Sequence, residues 1–151
     1  MGQQTSEAVI TKSVTVDAPV ERAFQVFTAE IDTWWPRRTH AVDTENAERV
    51  VLEGSEGGRL FERTTSGEEH VWGVVVTWEP PFRLGYTWHP GRGEEAAQEV
   101  EITFTPEGGR TRVDLRHWGW EKLGERMAEV VADYNEGWDF VMGRYVEAAN
   151  A

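Results

Sequence analysis

The residues of this sequence that can bind a ligand or move a proton are mainly aromatic residues and histidines. The chain of 151 residues contains eight tryptophans, three tyrosines and four histidines. His117 ends a stretch of strict alternation that predicts a buried position, where an imidazole of pKa about 6.5 can bind a ligand or transfer a proton. Tyr86 is a second candidate for proton transfer. The alternative for His117 is a half-buried side chain bonded to the backbone, and the sequence leaves both interpretations open.

Other kinds of catalytic or metal chemistry lack the residues they need. The chain has no cysteine, which removes disulfides, thiolate nucleophiles and thiolate metal sites. The glycines of Gly54–Gly58 precede no helix and no Lys-Ser/Thr pair, so they do not form a phosphate-binding loop. His40 and His89 fall in predicted loops, where we expect them to contact solvent. We therefore predict no cofactor and no metal, and a binding protein rather than an enzyme, with His117 as the first catalytic candidate.

The abundance of aromatic residues favours a cavity for a small apolar or aromatic molecule. Flat rings supply contact area and few polar anchors, as in many ligand sites. Each ring can equally well fill a solid core, and the sequence does not decide between the two. We predict that His117 and Tyr134 orient the ligand. The residues predicted to bind it are Trp35, Phe61, Trp72, Tyr86, Trp88, His117, Trp118, Tyr134, Trp138 and Met142.

Composition and charge narrow the partners and the location. The net charge is −12 at pH 7, whereas nucleic acids and anionic membranes select for Lys and Arg. We therefore predict no nucleic-acid or membrane partner. No apolar run is long enough to span a membrane, and Met1–Glu7 is too polar for a secretion signal. We expect a disordered lead over residues 1–7, a single domain over 8–150, a cytoplasmic location, and a monomer or homodimer.

The element that must position these residues is a long helix near the C-terminus. Between Trp120 and Ala149 the apolar residues recur every three or four positions, which predicts one stripe on an α-helix. Gly137 lies inside this stretch and weakens the helix, so a kink or break there is an open alternative. The stripe is too wide and too aromatic for a coiled coil. It is therefore predicted to lie against a β-sheet.

The rest of the chain predicts that sheet. Residues 9–16 form a first strand, residues 20–35 two short helices, and six further strands follow from Ala47. Apolar and polar residues alternate in Val100–Phe104 and Thr111–His117, which indicates one dry and one wet face, as in an antiparallel sheet. The fold class is therefore α+β, with a curved antiparallel sheet of six to seven strands around the long helix.

Several phrases of the sequence resemble a known family. They are Val16-Asp17-Ala18-Pro19-Val20-Glu21-Arg22-Ala23-Phe24, Trp34-Trp35-Pro36, Gly57-Gly58-Arg59, Gly73 to Leu84, Gly109-Arg110-Thr111-Arg112-Val113, His117-Trp118-Gly119-Trp120 and Glu136-Gly137-Trp138. Together they resemble the START-like superfamily, in the branch named after activators of the ninety-kilodalton heat-shock protein ATPase. The resemblance implies a helix-grip fold, with a cavity between the sheet and the C-terminal helix.

The resemblance also implies three kinds of function. START-like proteins include lipid carriers, hormone receptors and aromatic-polyketide cyclases, so the fold does not fix the activity. The first interpretation is a carrier or receptor of a small apolar or aromatic molecule. The second is a cyclase-like enzyme in which His117 or Tyr86 moves a proton. The third is a regulator of the heat-shock chaperone ATPase that binds its protein partner through the acidic outer surface.

Overall fold

A computed structural model describes residues 9–91, 93, 96–120 and 127–151, with side chains from residue 129 onward in the last range. In chain order its elements are β1 (Ile10–Val16), α1 (Val20–Phe27), α2 (Ile31–Trp34), β2 (Ala47–Leu52), β3 (Arg59–Thr64), β4 (Glu69–Glu79), β5 (Arg83–Trp88), β6 (Gln98–Glu107), β7 (Arg110–Trp118) and α3 (Met127–Asn150).

The described strands form one antiparallel sheet in the order β1-β7-β6-β5-β4-β3-β2. From β2 to β7 each strand pairs with the next one along the chain, and the first strand then pairs with the last, from Ile10 opposite His117 to Val16 opposite Thr111. The predicted α+β helix-grip architecture, with seven strands and two short helices after the first, is confirmed.

The predicted faces of β6 and β7 are also confirmed. Val100, Ile102 and Phe104 are buried on β6, and Thr111, Val113, Leu115 and His117 are buried on β7. The residues between them are exposed or half-buried. This alternation follows from the two-residue period of a strand that has a core on one side and water on the other.

The two short helices lie against this core and deliver Trp35 to it. The rings of Phe24 and Phe27 on α1 contact Phe104 at centroid distances of 5.2 and 6.0 Å. The indole N–H of Trp34 on α2 donates to the Val26 carbonyl at 2.7 Å. Because α2 ends at Trp34 and the backbone of Trp35 is extended, the chain turns there and the Trp35 ring is buried.

The C-terminal helix is continuous through Gly137, so the alternative of a break there is wrong. Its predicted first turns include residues 121–126, which lie outside the described residues. The helix is tied to the first half of the chain by Tyr145, whose hydroxyl donates to the Ala23 carbonyl at 2.8 Å. A Cβ added at Gly137 would lie 3.7 Å from the His40 ring, an ordinary packing distance, so the loop that carries His40 packs against the helix at this point.

Two residues predicted to point inward, Phe61 and Trp118, lie on the outer face of the sheet instead. The guanidinium carbons of Arg59 and Arg63 lie 4.3 and 5.6 Å from the centroid of the Phe61 ring. That of Arg116 lies 4.9 Å from the Trp118 ring. These cation–π contacts cover the rings, so Phe61 is buried without belonging to the inner core.

None of the helices in the described part of the chain has both the length and the apolar composition needed to cross a membrane.

Candidate functional site

A partly open pocket of about 310 Å³ lies between the inner face of the sheet, the loop that follows α2, and α3. Its volume is at the lower end of the range of small-molecule sites, about 300–1,000 Å³. The walls are mainly aromatic. The lining residues are Trp35, His40, Ala41, Val42, Trp72, Trp88, Pro90, Gly91, Tyr134, Gly137, Trp138 and Val141.

Four tryptophans from four parts of the chain form the walls. Trp72 comes from β4, Trp88 from β5, Trp138 from α3, and Trp35 from the end of α2. The Trp72 ring lies 5.1 Å from Trp35 and 5.7 Å from Trp88, and Trp88 lies 5.5 Å from Trp138, in edge-on or tilted arrangements. Such pairs are favoured by the ring quadrupoles, so each ring restricts the orientation of the next.

A buried carboxyl group fixes one wall and the rim. Glu62 on β3 is fully buried. Its Oε1 accepts from the Trp72 indole at 2.7 Å and from the Val42 amide at 2.6 Å, and its Oε2 accepts from the Asp43 amide at 2.8 Å. Glu62 was not among the residues predicted from the sequence. Its position between Leu60 and Thr64 could have indicated it, because alternation along the strand places its side chain on the same inward face.

His117 holds a second wall. Its Nδ1 lies 2.9 Å from the Trp138 indole nitrogen, and its Nε2 lies 3.1 Å from Oε1 of Gln98. Because an indole N–H can only donate, Nδ1 is the acceptor and Nε2–H donates to Gln98. The Gln98 amide group fits this orientation, since its Nε2 donates to the Ala96 carbonyl. Burial lowers the pKa of His117 to about 3, so the ring is neutral at pH 7.

This geometry gives His117 a positioning task. Both ring nitrogens are engaged, and its ring is not among the pocket-lining residues. Of the two interpretations that the sequence left open, the buried and satisfied side chain fits the structure better, although its partners are two side chains rather than the backbone.

The expectation of solvent contact is wrong for His89 and only partly right for His40. His89 is buried, and its amide donates to the Trp72 carbonyl at 2.6 Å. His40 is half-buried and lines the pocket. Its ring stacks on Phe140 at 5.3 Å, and its Nδ1 lies 2.7 Å from the Thr39 hydroxyl. Burial lowers the pKa of His40 below its usual 6.5, so it too is neutral at pH 7.

The structure brings together Trp35, Trp72, Trp88, Tyr134 and Trp138 of the residues that the sequence analysis selected. Tyr86 and Met142 are buried beside the pocket without lining it, and burial raises the pKa of the Tyr86 hydroxyl. Phe61 and Trp118 lie on the other face of the sheet. In the described ranges no three His, Asp or Glu residues are grouped so that they could hold a metal ion.

A second concavity, of about 470 Å³, lies outside this aromatic cluster. It is bounded by Phe24 and Gln25 of α1, by Trp78, and by the Pro80-Pro81 turn. It contains none of the residues that the sequence selected as candidates. We therefore take the tryptophan-lined pocket as the candidate site.

Comparison with known proteins shows the family. The family model described as "Activator of Hsp90 ATPase homolog 1-like protein" matches residues 17–147. The chain belongs to this family. A search among curated proteins gives no significant match.

Solved structures of the same fold include an anthrahydroquino-γ-pyrone synthase, Txn09, with 30% identity, a TM-score of 0.63, and coverage of 92% of this chain and 95% of that chain. CalC from Micromonospora echinospora, a self-sacrificing resistance protein, has 24% identity, a TM-score of 0.71 and coverage of 96% of both chains. The Aha1 dimer from Colwellia psychrerythraea has 16% identity, a TM-score of 0.68, and coverage of 95% of this chain and 96% of that one.

Proposed function

We propose that this member of the Hsp90-ATPase-activator-like family binds a small apolar or aromatic molecule in the tryptophan-lined pocket. The observation that carries the proposal is the pocket of about 310 Å³ whose walls are Trp35, Trp72, Trp88 and Trp138. Burial of about 200 Å² of apolar ligand surface would contribute about 5 kcal/mol before entropic costs. The ligand would replace water against rings that are already held in place, so little side-chain ordering opposes binding.

The similarity to Txn09 supports an aromatic ligand. That protein is described as the synthase of an anthrahydroquino-γ-pyrone, a fused-ring aromatic compound, and it is 30% identical over 92% of this chain. The pocket of the present chain offers the flat surfaces that such a ring system needs.

Titration with 1-naphthol, followed by tryptophan fluorescence and by thermal shift, tests the proposal. We expect saturable quenching and a stabilisation that grows with ligand concentration. Ala41→Phe would place a ring in the pocket, whereas Ala132→Phe changes an exposed position on α3 and serves as the matched control. The first variant should weaken binding at least tenfold and the control should not. Equal affinities of the two variants, or no binding to the wild type, would contradict the proposal.

A cyclase-like enzyme is the second candidate, and His40 is the observation that favours it. The Thr39 hydroxyl lies 3.3 Å from the Pro36 carbonyl and can donate its proton there while it accepts Nδ1–H of His40. Nε2 of His40 then keeps its lone pair. A Cβ added at the pocket residue Gly137 would lie 3.7 Å from this atom. A neutral imidazole in such a place can act as a general base.

The enzyme candidate is tested with 1-(2-hydroxyphenyl)butane-1,3-dione. In its cyclisation to 2-methylchromone the phenol oxygen loses its proton, attacks the distal ketone carbon, and one water molecule leaves. If His40 takes the phenol proton, His40→Asn should lower the rate about 100-fold or more while 1-naphthol still binds. If the wild-type protein does not exceed the uncatalysed rate, this candidate is wrong and the binding function remains.

A further inference from the structure

The ring of His40 is held in a fixed orientation beside the pocket. The His40 carbonyl accepts the Trp35 indole N–H at 2.7 Å, and the His40 amide donates to the Pro36 carbonyl at 2.8 Å. The ring stacks on Phe140 with an interplanar angle of 18°, and its Nδ1 lies 2.7 Å from the Thr39 hydroxyl. Because backbone and ring are both held, a ligand would meet an imidazole that is already in place.

The second ring nitrogen of His40 is available as a hydrogen-bond acceptor. The Thr39 hydroxyl can donate to the Pro36 carbonyl at 3.3 Å, which leaves its oxygen to accept Nδ1–H of His40. Nε2 then carries a lone pair and no proton. In the described ranges, the hydrogen bonds of His40 involve its backbone and Nδ1, and none involves Nε2.

Open space lies between this nitrogen and α3. A Cβ built on Gly137 would stand 3.7 Å from Nε2 of His40, and beyond the helix itself the described chain places only the Nε2–Cδ2 edge of that ring within 4 Å of it. Both residues line the pocket. Gly137 has no positive φ, and alanine would be the better helix former, so neither conformation nor packing requires a glycine here. The glycine leaves room for a ligand atom beside Nε2.

We propose that the pocket selects ligands with an aromatic hydroxyl group, which enters the space between His40 and Gly137 and donates a hydrogen bond to Nε2. This inference rests on the proposed binding function and requires no catalysis. A phenol fits because its neutral donor is attached directly to the flat ring that the tryptophan walls favour. A hydroxyl buried there without an acceptor would lose its bond to water and gain nothing, so the preference depends on Nε2.

The test pair is 1-naphthol and 1-fluoronaphthalene, because fluorine is close to a hydroxyl group in size and has no proton to donate. We expect the wild type to bind 1-naphthol about tenfold more tightly, the value of one ordinary hydrogen bond. In His40→Phe, which keeps a ring against Phe140, the preference should disappear through weaker binding of 1-naphthol. Gly137→Ala should also abolish it, because the methyl group would fill the space beside Nε2. Gly143→Ala on the same helix, with nothing within 4 Å, is the matched control and should keep the preference.

A measurement on the unaltered protein keeps the test independent of how the variants fold. In a ¹H–¹⁵N spectrum of the histidine side chains, the Nε2 resonance of His40 should move upfield with 1-naphthol and not with 1-fluoronaphthalene, as expected for a ring nitrogen that accepts a hydrogen bond. Equal affinities of the wild type for the two compounds would overturn the inference and leave the proposed binding function standing. Failure of both compounds to bind would overturn both. A preference for 1-naphthol that survives in His40→Phe or in Gly137→Ala would place the hydroxyl elsewhere and refute the assignment.

Discussion

Acidification should destabilise this protein through His117, and substitution of that residue should remove much of the effect. The histidine is fully buried, and its pKa falls from 6.5 to about 3 on folding because burial disfavours the imidazolium. As the pH falls below 6.5, the unfolded chain takes up a proton at this position and the folded chain does not. The contribution of His117 to stability is therefore complete above pH 6.5 and is lost progressively as the pH falls towards 3.

The magnitude follows from the pKa difference. Each pH unit between the unfolded and the folded pKa corresponds to about 1.4 kcal/mol. From pH 7 to pH 5, His117 alone should lower the free energy of unfolding by about 2 kcal/mol. His40, whose pKa is also lowered by burial, acts in the same direction. The carboxyl groups of Glu53 and Glu69, whose pKa values arginine partners lower further, stay charged in this window.

Urea unfolding of the wild type and of His117→Asn at half-unit steps from pH 7 to 5, followed by tryptophan fluorescence, measures the difference. The asparagine oxygen can still accept the Trp138 N–H, so the variant should fold, although with lower stability at pH 7 than the wild type. From pH 7 to 5 its free energy of unfolding should fall by about 2 kcal/mol less than that of the wild type. The same measurement on His40→Asn gives the contribution of His40 to the pH dependence of stability. Parallel pH profiles of wild type and His117→Asn would refute the assignment of a neutral, buried imidazole.

Two pairs of substitutions test a support of the pocket and the packing of two glycines. Glu62→Gln places an amide N–H₂ against one of the three N–H groups that donate to the carboxyl oxygens. We expect the free energy of unfolding, measured with urea, to fall by about 2–3 kcal/mol. Glu147→Gln on the exposed face of α3 should change stability by less than about 0.5 kcal/mol, and equal effects of the two would contradict the role of Glu62. Gly73→Ala would put a Cβ 1.7 Å from the Thr87 carbonyl oxygen on the neighbouring strand, so it should lower the free energy of unfolding by about 4 kcal/mol or more. Gly143→Ala, where nothing lies within 4 Å, should instead stabilise the helix by up to about 1 kcal/mol, and similar melting temperatures for both variants would refute the packing argument.

The parts of the fold that local periodicity encodes were predictable from the sequence. The alternation in β6 and β7 and the stripe of α3 report burial on one side of an element, so they give both its type and its inward face. Phe61 shows where this reasoning fails. Its hydrophobicity predicted an inward side chain, whereas alternation along β3 places it on the outer face, opposite to its neighbour Leu60. The guanidinium groups that cover it come from Arg59 and Arg63, two residues away on either side.

The pocket rim was not predictable because its contacts lie outside regular secondary structure. The Val42 amide donates to Glu62, twenty positions later, and the Trp35 indole donates to the His40 carbonyl within an irregular loop. Neither contact leaves a periodic signal. The sequence therefore selected the tryptophans by their type, while the histidine that lines the pocket was assigned to solvent and the carboxyl group behind the wall was overlooked.

Two polar side chains behind the pocket wall, Glu62 and His117, hold tryptophan rings in place without contacting the cavity. Glu62 and His117 bond the indole N–H groups of Trp72 and Trp138, and neither of the two lines the cavity. The rings thus keep their faces for a ligand while their polar edges are satisfied elsewhere. Substitution of Glu62 or His117 should therefore raise the dissociation constant of an aromatic ligand. Neither residue lines the cavity, so the effect would come from a loosened tryptophan ring that the ligand contacts. An unchanged affinity in folded Glu62→Gln would show that ring-to-ring packing alone holds Trp72 in place.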